Sequence, residues 1–155
     1  MTLVIDELYD GITFCQNFRI RRSFNVAHFR PWVVKWDTIL DGELVLQVWQ
    51  GSDMLAESVR TATEINAEIT ATYFHGQLRF DFDSLQLNHC REAEYTDYTL
   101  KLFMRNHTTN INNFMAGVRQ YERKFYDTYG LQVENNEAPN DMVEPLGFEV
   151  FEYKE

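Results

Sequence analysis

This sequence predicts an all-β fold, a jelly-roll-like antiparallel β-sandwich with at most one or two short helices, and three observations lead there. Apolar residues recur with period two rather than 3.6 along most of the chain, as they do where successive side chains point to opposite faces of a strand. The alternating segments are short and closely spaced, with turn-forming residues between them, as in sandwiches and barrels. The composition, 45 % apolar and 15 % aromatic against 25 % charged, suits a packed core and is too apolar for disorder.

The elements follow in order. Residues 1–12 read as an N-terminal arm or edge strand, and 13–155 as the single sandwich domain. In 14–26, Phe14, Phe18, Ile20, Phe24 and Val26 share one parity, with Asn17, Arg19, Arg21, Ser23 and Asn25 on the other and Gln16 and Arg22 as exceptions. That pattern predicts one or two half-buried strands. Pro31 reads as an interruption, after which Trp32, Val34 and Trp36 alternate with Lys35 and Asp37. Asp41-Gly42 signals a turn into Leu44, Leu46 and Val48, which alternate with Val45, Gln47 and Trp49. Gly51-Ser52-Asp53 then closes a hairpin onto a short strand at 55–59. In 63–71, Ile65 and Ile69 sit four apart with Thr63 as a candidate N-cap, which predicts a short helix or turn. Phe74, Leu78, Phe80 and Phe82 form the next strand face, and 84–94 reads as a polar connection carrying Leu85 and Leu87. Tyr98, Leu100, Leu102 and Met104 face inward on another strand. A loop at 106–113 leads to a strand around Phe114, Ala116 and Val118, then a short extended piece at Lys124-Phe125-Tyr126. A long surface loop at 134–144 precedes the final strand, with Leu146, Phe148 and Val150.

At 155 residues the domain is long enough to bury roughly 70 % of the surface of its unfolded form, so size alone demands no metal or disulfide. The net charge of −10 repels phosphate backbones and anionic lipid, which argues against nucleic-acid and membrane partners. The N-terminus has no basic segment before its apolar run and no long apolar stretch behind it. The expectation is therefore a protein made in a cytoplasm, with Cys15 and Cys90 as reduced thiols.

No residue pattern specifies a reaction. His28, His75, His89 and His107 have no E-x-x-H, H-x-H or C-x-x-C partner, so solvent-facing or locally hydrogen-bonded histidines are expected rather than a zinc site. His89-Cys90 lacks a third orienting residue for a thiolate nucleophile. Asp81 and Asp83 share a strand face, but charges opposite Arg79 or Lys101 explain them. The acidic 134–144 segment has no ordered spacing for Ca²⁺. Asn106-His107-Thr108 is a glycosylation sequon by letter only. Neither an enzyme nor a cofactor is expected. Arg19, Arg21 and Arg22 form the only basic cluster, and Arg19 and Arg21 on an outer face suit an acidic partner protein. Trp32 and Trp36 share a parity that reads as core, which leaves Trp49 as the outward aromatic. Val45, Trp49, Phe103, Phe151 and Tyr153 add apolar surface beyond one core. Leu3, Val4 and Ile5 offer a strand or docking arm.

Several of these segments together resemble a jelly-roll module of tailed-phage virion proteins, found in tail fibres, neck appendages and capsid decorations and similar to carbohydrate-binding modules. The residues that carry the likeness are Glu64-Ile65-Asn66, Phe74-His75-Gly76, Leu78-Arg79-Phe80-Asp81-Phe82, Lys124-Phe125-Tyr126 and Pro145-Leu146-Gly147-Phe148-Glu149-Val150. It spans about the whole chain beyond the first dozen residues. The resemblance implies a non-enzymatic structural component of a phage virion, made in the host cytoplasm and working as a homo-oligomer in contact with other virion proteins. Its possible partner-binding residues are Leu3, Val4, Ile5, Arg19, Arg21, Trp49, Phe151 and Tyr153. The alternative is a carbohydrate-binding module for host attachment through a surface glycan, and a third reading is a hydrolase on the same fold. Such modules are often rich in Gly, Ser and Thr, whereas this chain is acidic and has only 7 Gly, which places the structural reading first.

Overall fold

The structure, a computed structural model, describes residues 3–8, 13–106, 115–120, 132–133 and 148–153, with side chains described for 13–106 and 148–153. The elements are β1 (Leu3–Leu8), β2 (Thr13–Ile20), β3 (Phe24–Lys35), β4 (Glu43–Gln50), β5 (Asp53–Thr61), α1 (Ala62–Glu68), β6 (Phe74–Gln77), β7 (Phe80–Leu87), β8 (Thr96–Arg105), β9 (Met115–Gln120), β10 (Gln132–Val133) and β11 (Phe148–Glu152). They form two antiparallel sheets. One holds five strands in the order β10-β2-β8-β4-β5. The other runs β1-β9-β3-β11, with β6 and β7 paired along the remaining side of β3. The chain changes sheet at most connections, and β4–β5 is a hairpin within one sheet, which gives the expected sandwich. The segment at Lys124-Phe125-Tyr126, the acidic 134–144 segment, Leu146 and the end of the sequon lie outside the described residues.

One core fills the space between the sheets. The inward parity of β2, β4 and β8 supplies Phe14, Phe18, Ile20, Leu44, Leu46, Val48, Tyr98, Leu100, Leu102 and Met104, all buried. Phe80, Phe82, Phe148 and Val150 enter it from the other sheet. Aromatic rings tie the layers together. Phe18 of the five-stranded sheet lies 6.0 Å from Phe29 and 5.7 Å from Phe148, both edge-on, and stacks on Tyr98 at 5.8 Å. Phe29 in turn meets Phe82 edge-on at 5.6 Å. Offset and edge contacts of this kind add to the area term because ring edges and faces carry opposite partial charge.

Four sequence expectations are corrected. Pro31 does not end a strand, since β3 runs through it for 12 residues. Its carbonyl accepts a bond from the Leu78 amide at 3.0 Å, but a proline has no N–H to return it. The ladder opens there, which splits one extended stretch into β6 and β7 without changing its register against β3. Next, 84–94 is not all connection, because β7 continues to Leu87 and buries Leu85 and Leu87. An irregularity carries Asp83 and Ser84 outward together, with Ser84 at φ 56°, so the inward parity passes from Phe80 and Phe82 to Leu85 and Leu87. The third correction moves the helix cap to Thr61. Its Oγ1 accepts from the Glu64 amide at 3.2 Å while Glu64 Oε2 accepts from the Thr61 amide at 3.3 Å, a reciprocal box that needs Glu three residues after the cap. The fourth concerns Trp32 and Trp36. β3 steps three residues, from buried Val26 to buried Phe29, so the later inward positions are Phe29, Val33 and Lys35. Trp32 and Trp36 fall on the outer face around Val34, in a small cluster separate from the core.

Lys35 is buried by this shift, and its Nζ donates to the Ile69 and Ala71 carbonyls at 2.8 and 3.2 Å, just beyond α1. Asn66 grips Ile39 through both its amide and its carbonyl, at 3.0 and 2.7 Å. The Glu64-Ile65-Asn66 triplet thus caps the helix, enters the core and holds the β3–β4 connection.

Candidate functional site

The best-developed surface is the outer face of the six-stranded sheet, with β3 at its centre. The parity change in β3 turns His28, Arg30, Trp32, Val34 and Trp36 outward in one row. Neighbouring strands set partners on either side by register: Phe151 and Asp81 beside His28, Glu149 beside Arg30, Gln77 beside Trp32, and His75 and Ala116 beside Val34. The His28 ring stacks on Phe151 at 4.5 Å, and the Arg30 guanidinium lies 4.9 Å from the centre of the same Phe151 ring. Gln77 Nε2 donates to Glu149 Oε1 at 2.6 Å, a bond that passes over β3 between Arg30 and Trp32. Arg79 and Asp81 pair at 2.6 Å, and the Trp32 and His75 rings are 5.9 Å apart. Tyr73, just before β6, is 56 % exposed. The result is an aromatic strip with a polar bridge across its middle.

His28 departs from the expectation of a solvated or hydrogen-bonded histidine. Both ring nitrogens are shielded and, among the described residues, have no hydrogen-bond partner, and the same holds for Arg30 Nε. Burial, then the positive charges of Arg79 and Arg30, hold the imidazole below the ordinary histidine value, with Asp81 pulling weakly the other way.

The residues singled out in the sequence do not converge. Leu3, Val4 and Ile5 lie in β1 and pair with Gln120, Arg119 and Val118 of β9, so this segment is an edge strand of its own sheet. Arg19 and Arg21 do meet, at Tyr95: their guanidinium carbons lie 5.5 and 4.8 Å from its ring centre, and Arg21 also donates to the Tyr95 hydroxyl. Arg19 is further paired with Asp97 at 3.1 Å. Trp49 belongs to the opposite outer face, half-buried, with its indole N–H on Gln47 at 2.9 Å and Lys101 Nζ 4.0 Å from the ring centre. Val45 on that face is fully buried. Phe151 is outward as expected and belongs to the strip around β3, and Tyr153 is 50 % exposed at the end of β11. Sequence reasoning missed His28, Arg30 and Trp32 as a group. The available signal was the matched three-residue apolar step in facing strands, Val26 to Phe29 and Phe82 to Leu85.

A concavity of about 500 Å³, wide open, is lined by Ser58, Val59, Arg60, Glu64, Glu68, Arg79 and Asp81. Its charges satisfy one another, with Arg60 on Glu68 at 2.9 Å and on the Arg79 carbonyl at 2.5 Å. Among the described residues no group of three or more His, Cys, Asp or Glu is arranged to hold a metal ion. Comparison with protein families, curated proteins and solved structures finds no match.

Proposed function

We propose that this chain is a non-enzymatic contact module, a structural component of a phage virion that works through protein–protein contacts. The observation that carries the reading is the division of labour on the described surface. Charged groups are spent on one another in ion pairs: Arg19–Asp97, Arg22–Glu152, Arg79–Asp81, and Arg105 with both Glu43 and Glu57. The aromatic strip of Trp32, Val34 and Trp36 stands outside the core. Val34 is itself buried, and the half-buried indoles of Trp32 and Trp36 are what this face offers; aromatic rings bordered by polar groups are typical of places where proteins meet. The alternative of glycan attachment draws support from one arrangement, Trp32 beside the Gln77–Glu149 bridge, since sugar rings pair with an aromatic face and hydrogen-bonding groups at its rim.

The test is to look for the protein in purified particles and to follow self-association by sedimentation, for wild type and Trp32→Ala/Trp36→Ala. Incorporation or self-association that the double substitution reduces supports the contact reading. A monomeric wild type, absent from particles, that binds a glycan array through Trp32 replaces it with the attachment reading.

A further inference from the structure

We propose that His28 is an acid-sensitive latch for the C-terminal strand β11, closed while the imidazole is neutral and opened when it takes a proton. The position is singular in the sheet. Pairing of β3 with β7 changes register between Val26 and His28, and pairing with β11 changes register between Phe151 and Glu152, opposite the same stretch. The junction therefore relies on side chains where the ladders are irregular. The side-chain contact there is the flat stack of His28 on Phe151, at 4.5 Å and 25° between ring planes.

A neutral imidazole serves this contact as an apolar ring. A protonated one presents two N–H donors at nitrogens that have no acceptor, and it becomes a third cation beside Arg30 and Arg79. Among the described residues, the carboxylates on the strands beside His28 are otherwise engaged. On β7, Asp81 holds Arg79; on β11, Glu149 holds Gln77 of β6 and Glu152 holds Arg22 at 3.0 Å. Arg30 on β3 already lies against the far partner of the stack, Phe151. The least costly relief is to separate Phe151 from His28. Within the described residues β11 is a five-residue strand at the end of its sheet and pairs with β3 alone.

The sign follows from the depressed value of His28. With the folded value below the ordinary 6.5, the open state binds the proton first. Closure is at full strength above about pH 6.5 and weakens as pH falls towards the folded value. Within that window the opening constant rises up to about tenfold per pH unit.

Hydrogen exchange of the full chain at pH 7.5 and 5.5, corrected for the intrinsic exchange rate, tests this. In wild type, protection of 148–152 and 26–31 should fall on acidification, by up to about tenfold for one proton per opening, while β4 and β8 amides stay protected. His28→Phe keeps a ring on Phe151 and removes the titration, so its β11 protection should be the same at both pH values. Should His28→Phe fail to fold, His28→Gln and the NMR titration of the His28 ring in wild type serve instead. Equal β11 protection in wild type at both pH values, the same acid opening in His28→Phe or His28→Gln, or a His28 that titrates at or above 6.5 overturns the proposal.

Discussion

Phe18→Ala is the sharpest probe of how the two sheets are joined. Phe18 is 2 % exposed and its ring meets Phe29, Tyr98 and Phe148 at 6.0, 5.8 and 5.7 Å, so one side chain of β2 touches β8 in its own sheet and β3 and β11 in the other. Truncation removes the buried ring and leaves a void that its rigid aromatic neighbours cannot fill, at a cost of about 3–5 kcal/mol. Against a total stability of about 5–15 kcal/mol that is a large share. At about 2–4 °C per kcal/mol for a chain of this size, Tm should fall by roughly 6–20 °C. Urea denaturation should show a lower midpoint with an unchanged slope, since the surface exposed on unfolding is nearly the same. Phe18→Leu, which leaves a smaller void, should lose less. Met54→Ala, at a side chain 48 % exposed, is the control and should stay within about 0.5 kcal/mol of wild type. A Phe18→Ala loss no larger than that of Met54→Ala would refute the claim that this cluster couples the sheets.

Three further outcomes are expected. Tyr98 donates its hydroxyl to the Asn88 carbonyl at 2.7 Å and accepts from the Asn88 amide at 2.8 Å, so Tyr98→Phe should cost about 1 kcal/mol and specifically speed exchange of the Asn88 amide. A side chain at Gly76 would place its Cβ 2.8 Å from the Phe74 ring, so Gly76→Ala should cost about 1–3 kcal/mol by overpacking, and measurably less in a Phe74→Leu background. In native protein without reductant one thiol should react rapidly, exposed Cys90, and a second only on unfolding, because Cys15 is buried and burial pushes its thiol pKa up despite the nearby Lys101. Two fast thiols would show that β2 is open at that point.

Fold class, the strands and most of the core were legible in the sequence, because period-two alternation is a local property that survives wherever a strand stays regular. Tyr98 to Met104 report their own face without help from any neighbour, whereas Val45, on the outer parity of β4, is buried all the same. Tertiary structure decided what happens where a strand is irregular. The three-residue step from Val26 to Phe29 reverses every later side chain of β3, burying Lys35 in the core and turning half-buried Trp32 and Trp36 to the outer face. One residue of slip exchanges the two faces of a strand, so a rule blind to the slip assigns those tryptophans to the core. The break at Pro31 was equally hidden, since the residue ends a strand in isolation but costs only one ladder bond when β3 is held on both sides. The sequence alone determined an antiparallel sandwich with an aromatic core. Which residues share its outer face, and hence the whole strip from His28 to Trp36, depended on bulges formed between strands far apart in the chain.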